Sequence, residues 1–187
     1  MKPPVTVGID AHYPEAYLDR EETEIPKINA KMREYLENGV LRGYENAMIY
    51  LERVQSDGRV RRGLVCAIDL EDYDFSVGSL SPIRPTEKTV VERIPPRLAV
   101  RRGAPIEMPH VMLLVDDPDD TILSRFAGRE MNAYSFDLAE GGGSVKAAFV
   151  SADEFDELNK SLDILAQNAV KRVEKNGGAP ITIAVGD

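Results

Sequence analysis

The sequence predicts an α+β fold in which antiparallel hairpins pack with three helices. Two observations carry this: two pairs of short alternating apolar runs, each joined by a glycine-containing turn, and three helical stretches interleaved with them. Single strands do not alternate with helices as a parallel doubly wound sheet requires. At 187 residues the chain is read as one region, 1–187, with sub-regions 1–109 and 110–187.

Residues 5–9 read as a short strand, and the first helix follows a polar stretch, with Thr23 as its N-cap. Its apolar face comprises Ile25, Ile28, Met32, Tyr35 and Leu36, and Asn38-Gly39 stops it. Residues 47–54 and 60–68 form the first hairpin, turned by Ser56-Asp57-Gly58-Arg59. Ala47, Ile49 and Leu51, and across from them Leu64, Cys66 and Ile68, are expected to face a core. Residues 69–109 read as one long loop rich in Pro, Arg and Glu, beyond the usual connection length.

Residues 110–115 read as a buried strand. The acidic run 116–120 then opens a short helix bearing Ile122, Leu123 and Phe126, capped by Asp119 or Asp120 after an Asp117-Pro118 turn. In the second hairpin, Tyr134, Phe136 and Leu138 alternate on one strand and Val145, Ala147 and Phe149 on the other, with Gly141-Gly142-Gly143 near the turn. The aromatic residues of this hairpin read as core. Ser151 and Glu154 form a capping box ahead of a long helix that Asn176-Gly177-Gly178 ends. Residues 181–185 begin a last strand, whose edge is expected to seek a partner chain, so a homo-oligomer is anticipated. The chain ends two residues later, and it is read as truncated there.

The charge narrows the function. Asp and Glu total 32 against 23 Lys and Arg, a net charge of -9, which repels phosphate backbones and anionic lipids. Neither nucleic acid nor membrane is therefore expected as a partner. One cysteine, Cys66, excludes an internal disulfide and a cysteine metal cluster and reads as a buried, inert thiol; a reducing, cytoplasmic setting follows.

Chemistry concentrates between residues 84 and 93. Arg84 and Arg93 can hold phosphate or carboxylate in two-pronged fashion, Thr86 and Thr89 can add hydroxyl bonds, and Glu87 can take a proton from a substrate hydroxyl. The same composition also suits a solvated surface loop whose charges pair with one another. The acidic run 116–120 could hold magnesium or simply cap a helix. Gly141-Gly142-Gly143-Ser144 lacks the Lys-Ser/Thr ending of a phosphate loop, no G-x-G-x-x-G motif is present, and His12 and His110 have no ligand-spaced partners.

Several segments in order resemble the bacterial family known as domain of unknown function 1015. They are Ile28-Asn29-Ala30-Lys31-Met32, Ile49-Tyr50-Leu51-Glu52-Arg53, Gly58-Arg59-Val60-Arg61-Arg62-Gly63-Leu64-Val65, Asp69-Leu70-Glu71-Asp72-Tyr73, residues 83–97 and Ala104-Pro105-Ile106. The resemblance implies a fold that is ParB-like in part, related to free-serine kinases, and a chain that is an incomplete portion of the family. It implies transfer of phosphate from ATP or ADP, with magnesium, to a hydroxyl of a small-molecule substrate such as free serine. Glu87 and Asp187 would be catalytic, Arg84, Thr86, Thr89 and Arg93 would bind substrate or phosphate, and the metal ligands stay unassigned. Where Thr86 stands, the commoner branch of the family has histidine. Two other readings remain open: a non-catalytic ParB-like nucleotide-binding or regulatory module, and an inactive fragment.

Overall fold

A computed structural model of the chain describes residues 24–74, 76–88, 90–107 and 111–186. The expected strand at 5–9, Thr23, His12, His110, Thr89 and Asp187 lie outside the described residues. In chain order the elements are α1 (Glu24–Glu37), β1 (Met48–Val54), β2 (Val60–Val65), β3 (Ile83–Pro85), α2 (Ile94–Arg101), β4 (Met112–Val115), β5 (Tyr134–Asp137), β6 (Ser144–Val150), α3 (Phe155–Asn176) and β7 (Ile183–Gly186). They divide into two compact units interleaved in sequence. Unit 1 comprises Met1–Gly43, Thr86–Met112 and Gly186–Asp187; unit 2 comprises Tyr44–Pro85 and Leu113–Val185.

Unit 1 is built on α1 and α2. Ile28 and Met32, four residues apart and so on one helix face, are buried, and Tyr35, Ala104 and Ile106 pack against them. Arg33 donates a hydrogen bond of 2.9 Å to the carbonyl of Gly103, fastening the loop that closes this core. Gly39, at φ 68°, ends α1 as expected: its conformation is one that a side chain rarely adopts.

Unit 2 holds a four-stranded antiparallel sheet of order β2-β1-β6-β5 and a three-stranded sheet of order β3-β7-β4, in which β3 and β7 run parallel. Tyr50, Phe126 and Val150 make the core, with Met48, Leu64, Leu123, Met131 and Phe155 packed around them. The rings of Tyr50 and Phe126 stack at 5.3 Å, and the Arg129 guanidinium lies 4.9 Å over the Phe126 ring. The Tyr50 hydroxyl donates to Glu52 at 2.7 Å, which satisfies its one polar atom. Burial first, and then that bond, push the Tyr50 phenol up to about 12, so it keeps its proton.

The α+β class holds, with corrections in detail. Two of the three expected helices form. The segment after the acidic run makes only a 3-10 turn, Ser124–Phe126, with Leu123 at its N-cap and no side-chain cap bond from Asp119 or Asp120; Asp117 instead closes the bend ahead of it. Its carboxylate accepts the Thr121 hydroxyl at 2.9 Å and the Ile122 N–H at 2.7 Å. The stretch 69–109 is not one loop: it carries β3 and the eight-residue α2. Pro95 and Pro96 stand in the first turn of α2, where a missing N–H costs nothing, so they start a helix instead of breaking one.

The core side of the first hairpin is also corrected. Tyr50 lies opposite Leu64, so that face is the buried one, whereas Ile49 and Leu51 are half-buried on the other. Cys66 is exposed, beyond the end of β2. Tyr134 and Phe136 are exposed too, although both were expected in a core. Finally, β7 lies between β3 and β4, so residues 183–185 are not at a sheet edge.

Candidate functional site

Ile83 anchors β3 through its buried side chain, and the strand pairs with β7 in the register Ile83↔Ile183, Arg84↔Ala184, Pro85↔Val185. Because the pair is parallel, both strands leave the sheet at the same end. In open sheets with parallel strands that end is the usual place for a ligand.

Arg84 does not project freely from this strand. Its guanidinium donates to the carbonyl of Ser76 at 3.2 Å and to that of Ser79, and its Nε is buried without a partner. The turn it holds is internally bonded. Asp74 accepts the Ser76 N–H at 2.9 Å and the Ser76 hydroxyl, while the Ser81 hydroxyl reaches the Asp72 carbonyl. The Ser76 bonds, hydroxyl first, hold the Asp74 carboxyl down at about 2. Sequence reasoning did not single out this Asp-Ser-Ser cluster. Its signal is the Asp-x-Ser spacing of a side-chain-to-backbone turn, 72–81, directly ahead of the strand.

The other candidates belong to unit 1. Thr86 and Glu87 are exposed, and Arg93 closes the 3-10 turn Val91–Arg93 that runs into α2. A Cβ placed on Gly186 would lie 3.6 Å from the Thr86 hydroxyl oxygen, which puts the 86 hydroxyl beside the residue that precedes Asp187. Thus Thr86 and Gly186 are brought together, and Glu87, next to Thr86 in sequence, is accessible. Arg101 pairs with Glu107 at 2.6 Å.

Within the acidic run, Asp116 and Asp117 make structural bonds. Desolvation pushes the Asp117 carboxyl up, but bonds from Thr121 and Ile122 outweigh it and hold the group below its ordinary value. Asp116 pairs with Arg172 of α3 at 2.6 Å, and these two with Val173, Asn176, Ala179 and Ile181 line an open cleft of about 300 Å3 in unit 2. Among the described residues no group of three or more His, Cys, Asp or Glu side chains is assembled to hold a metal ion. Surrounding protein atoms push the Cys66 thiol up, so despite its exposure it is a poor nucleophile at neutral pH. No helix among the described residues is long and apolar enough to cross a membrane.

Neither curated proteins nor solved structures include a match to this chain. A family model described as protein of unknown function (DUF1015) matches residues 7–173, which spans α1 and nearly all of α3 and takes in the stretch from Arg84 to Arg93. By that match the chain belongs to the DUF1015 family.

Proposed function

We propose that this chain belongs to a cytoplasmic small-molecule kinase that moves the terminal phosphoryl group of ATP or ADP onto a hydroxyl such as that of free serine. The observation that supports the reading is the neighbourhood of Thr86, which directly follows β3, and Gly186, the last residue of its parallel partner β7. The exposed carboxylate of Glu87 accepts the proton of the attacking hydroxyl as its oxygen bonds to the terminal phosphorus. The bond from that phosphorus to the bridging oxygen breaks, and the shortened nucleotide leaves. Thr86, Thr89 and Arg93 contribute donors to substrate or phosphate, and Asp187 completes the site.

Arg84 takes a different part in this reading. With its guanidinium engaged by Ser76 and Ser79, it positions the 74–81 turn against the strand, and phosphate binding falls to Arg93 and the threonines. The described residues assemble no cluster of three or more carboxylate, histidine or cysteine ligands that fits magnesium.

The test uses the complete reading frame that contains this chain, incubated with ATP or ADP and a panel of hydroxy amino acids. Phosphorus NMR should show a new phosphomonoester, and Glu87→Gln should slow its formation about 100-fold or more. Nucleotide-dependent thermal stabilisation without product would replace the kinase by a nucleotide-binding module. Absence of both signals would remove both readings.

A further inference from the structure

The end strand β5 of the four-stranded sheet is built unlike the opposite edge of that sheet, β2, and unlike the outer strand β3 of the other. Among the described residues β6 is its one neighbour, and all four of its side chains are exposed. Tyr134 is 47% exposed and Phe136 52%, and both project to one face, alongside Tyr44, whose hydroxyl lies 3.5 Å from that of Tyr134. The opposite edge, β2, carries the exposed charges Arg61 and Arg62, and β3 is three residues long and ends in Pro85. Charges and proline are the usual guards of a sheet edge, and β5 has one charge, Asp137, at its end.

The backbone is equally ready. Leu138 donates its N–H to the Gly143 carbonyl at 2.8 Å across the hairpin. In an antiparallel ladder, bonded positions alternate, so Phe136 and Tyr134 bond to β6 while the N–H and C=O groups of Ser135 and Asp137 point away from it.

We propose that β5 is a self-association edge, pairing antiparallel with β5 of a second copy of this chain about a two-fold axis at Ser135. That register sets Tyr134 opposite Phe136 of the partner subunit, and Phe136 opposite the partner's Tyr134, giving two aromatic cross-strand pairs on one face. It also holds the two Asp137 carboxylates at opposite ends. Sliding the axis to Asp137 would set those like charges face to face, which selects the register at Ser135. Two four-stranded sheets then continue as one of eight strands. The contact is small and each copy carries a net charge of -9, so the dimer is concentration-dependent and strengthens with salt.

Directly opposed residues in a bonded antiparallel pair have Cα atoms about 5.5 Å apart, within disulfide reach. In a Cys66→Ala background, Ser135→Cys should therefore oxidise to a covalent dimer, whereas Asp57→Cys, in the first hairpin turn, should not. Sedimentation across a concentration series should show the unaltered chain dimerising, and Ser135→Pro or Phe136→Lys should weaken that at least tenfold. Phe136→Lys leaves an exposed position exposed, so its unchanged circular dichroism and melting would separate lost pairing from lost fold. A chain that stays monomeric at every concentration overturns the proposal. So does equal cross-linking at 57 and 135, or a dimer that survives both β5 substitutions.

Discussion

The two hydrophobic cores differ in what seals them. In unit 2, Tyr50, Phe126 and Val150 are essentially without solvent exposure, enclosed by β1 and β6 and covered by the segment carrying Leu123 to Met131. In unit 1, Ile28 and Met32 are closed over by Tyr35, Ala104 and Ile106, with Arg33 bonded to the Gly103 carbonyl of the loop. Strand ladders make a cooperative lid; a loop fastened by exposed side chains opens at lower cost. Thr86, Glu87 and Arg93 thus belong to the unit with the smaller core, where local opening is easier and a ligand is more readily admitted.

The largest test of this contrast is truncation of each core. Phe126→Ala should cost about 3–5 kcal/mol, since it empties the centre of unit 2 and removes the partner of both Tyr50 and Arg129. Met32→Ala should fall at the low end of about 2–5 kcal/mol, because the loop around it can collapse. Hydrogen exchange should then show protection lost mainly in β1 and β6 for the first and in α1 for the second. Equal, chain-wide loss in both variants would mean that the two cores melt as one.

The hairpin turns of unit 2 sharpen the same point at smaller scale. A Cβ at Gly143 would sit 1.9 Å from the Val54 carbonyl oxygen, at φ 92°, so Gly143→Ala must shift backbone and should cost about 3 kcal/mol. Gly58, at φ 83°, faces open space, and Gly58→Ala should cost about 1 kcal/mol from conformation alone. Urea denaturation of the pair decides it; equal costs would remove the distinction between a packed turn and a free one.

The smallest expected effect concerns the entrance to α3. Glu154 accepts from Arg129 and from the Ser151 N–H at 3.0 Å, and these bonds, Arg129 first, hold its carboxyl down at about 2 from an ordinary 4.5. The folded state therefore favours the ionised form. That contribution is complete above pH 4.5 and drains away as the pH falls towards 2. Because the pair is partly exposed, Glu154→Gln should cost under about 1 kcal/mol at neutral pH and flatten the acid limb of the stability curve. An unchanged acid limb would show that Arg129 and Glu154 do not couple to folding.

Much of this architecture is legible in local residue chemistry. The Asp57-Gly58 turn, the Ser151 and Glu154 capping box, and Gly39 and Gly177 as helix ends all stand where short-range geometry requires them. The proline pair at the head of α2 misleads, because the same residue breaks a helix in its interior and starts one in its first turn. Which face of a strand is buried was misread for Tyr50, Tyr134 and Phe136. Alternation reports that two faces differ, but the partner that covers one of them arrives from elsewhere in the chain.

The candidate site divides in the same way. Residue types alone marked Arg84 to Arg93 as a place for proton and phosphate chemistry, since arginine, threonine and glutamate carry those capacities wherever they stand. Only the tertiary structure decided that Arg84 is taken up by the carbonyls of Ser76 and Ser79, and that Thr86 comes beside Gly186 a hundred residues away. It also decided that β7 is an inner strand and β5 an outer one. Turns and caps are settled within a few bonds along the backbone, and so sequence determines them. Strand order and the partners of a guanidinium depend on long-range pairing, which no local pattern encodes.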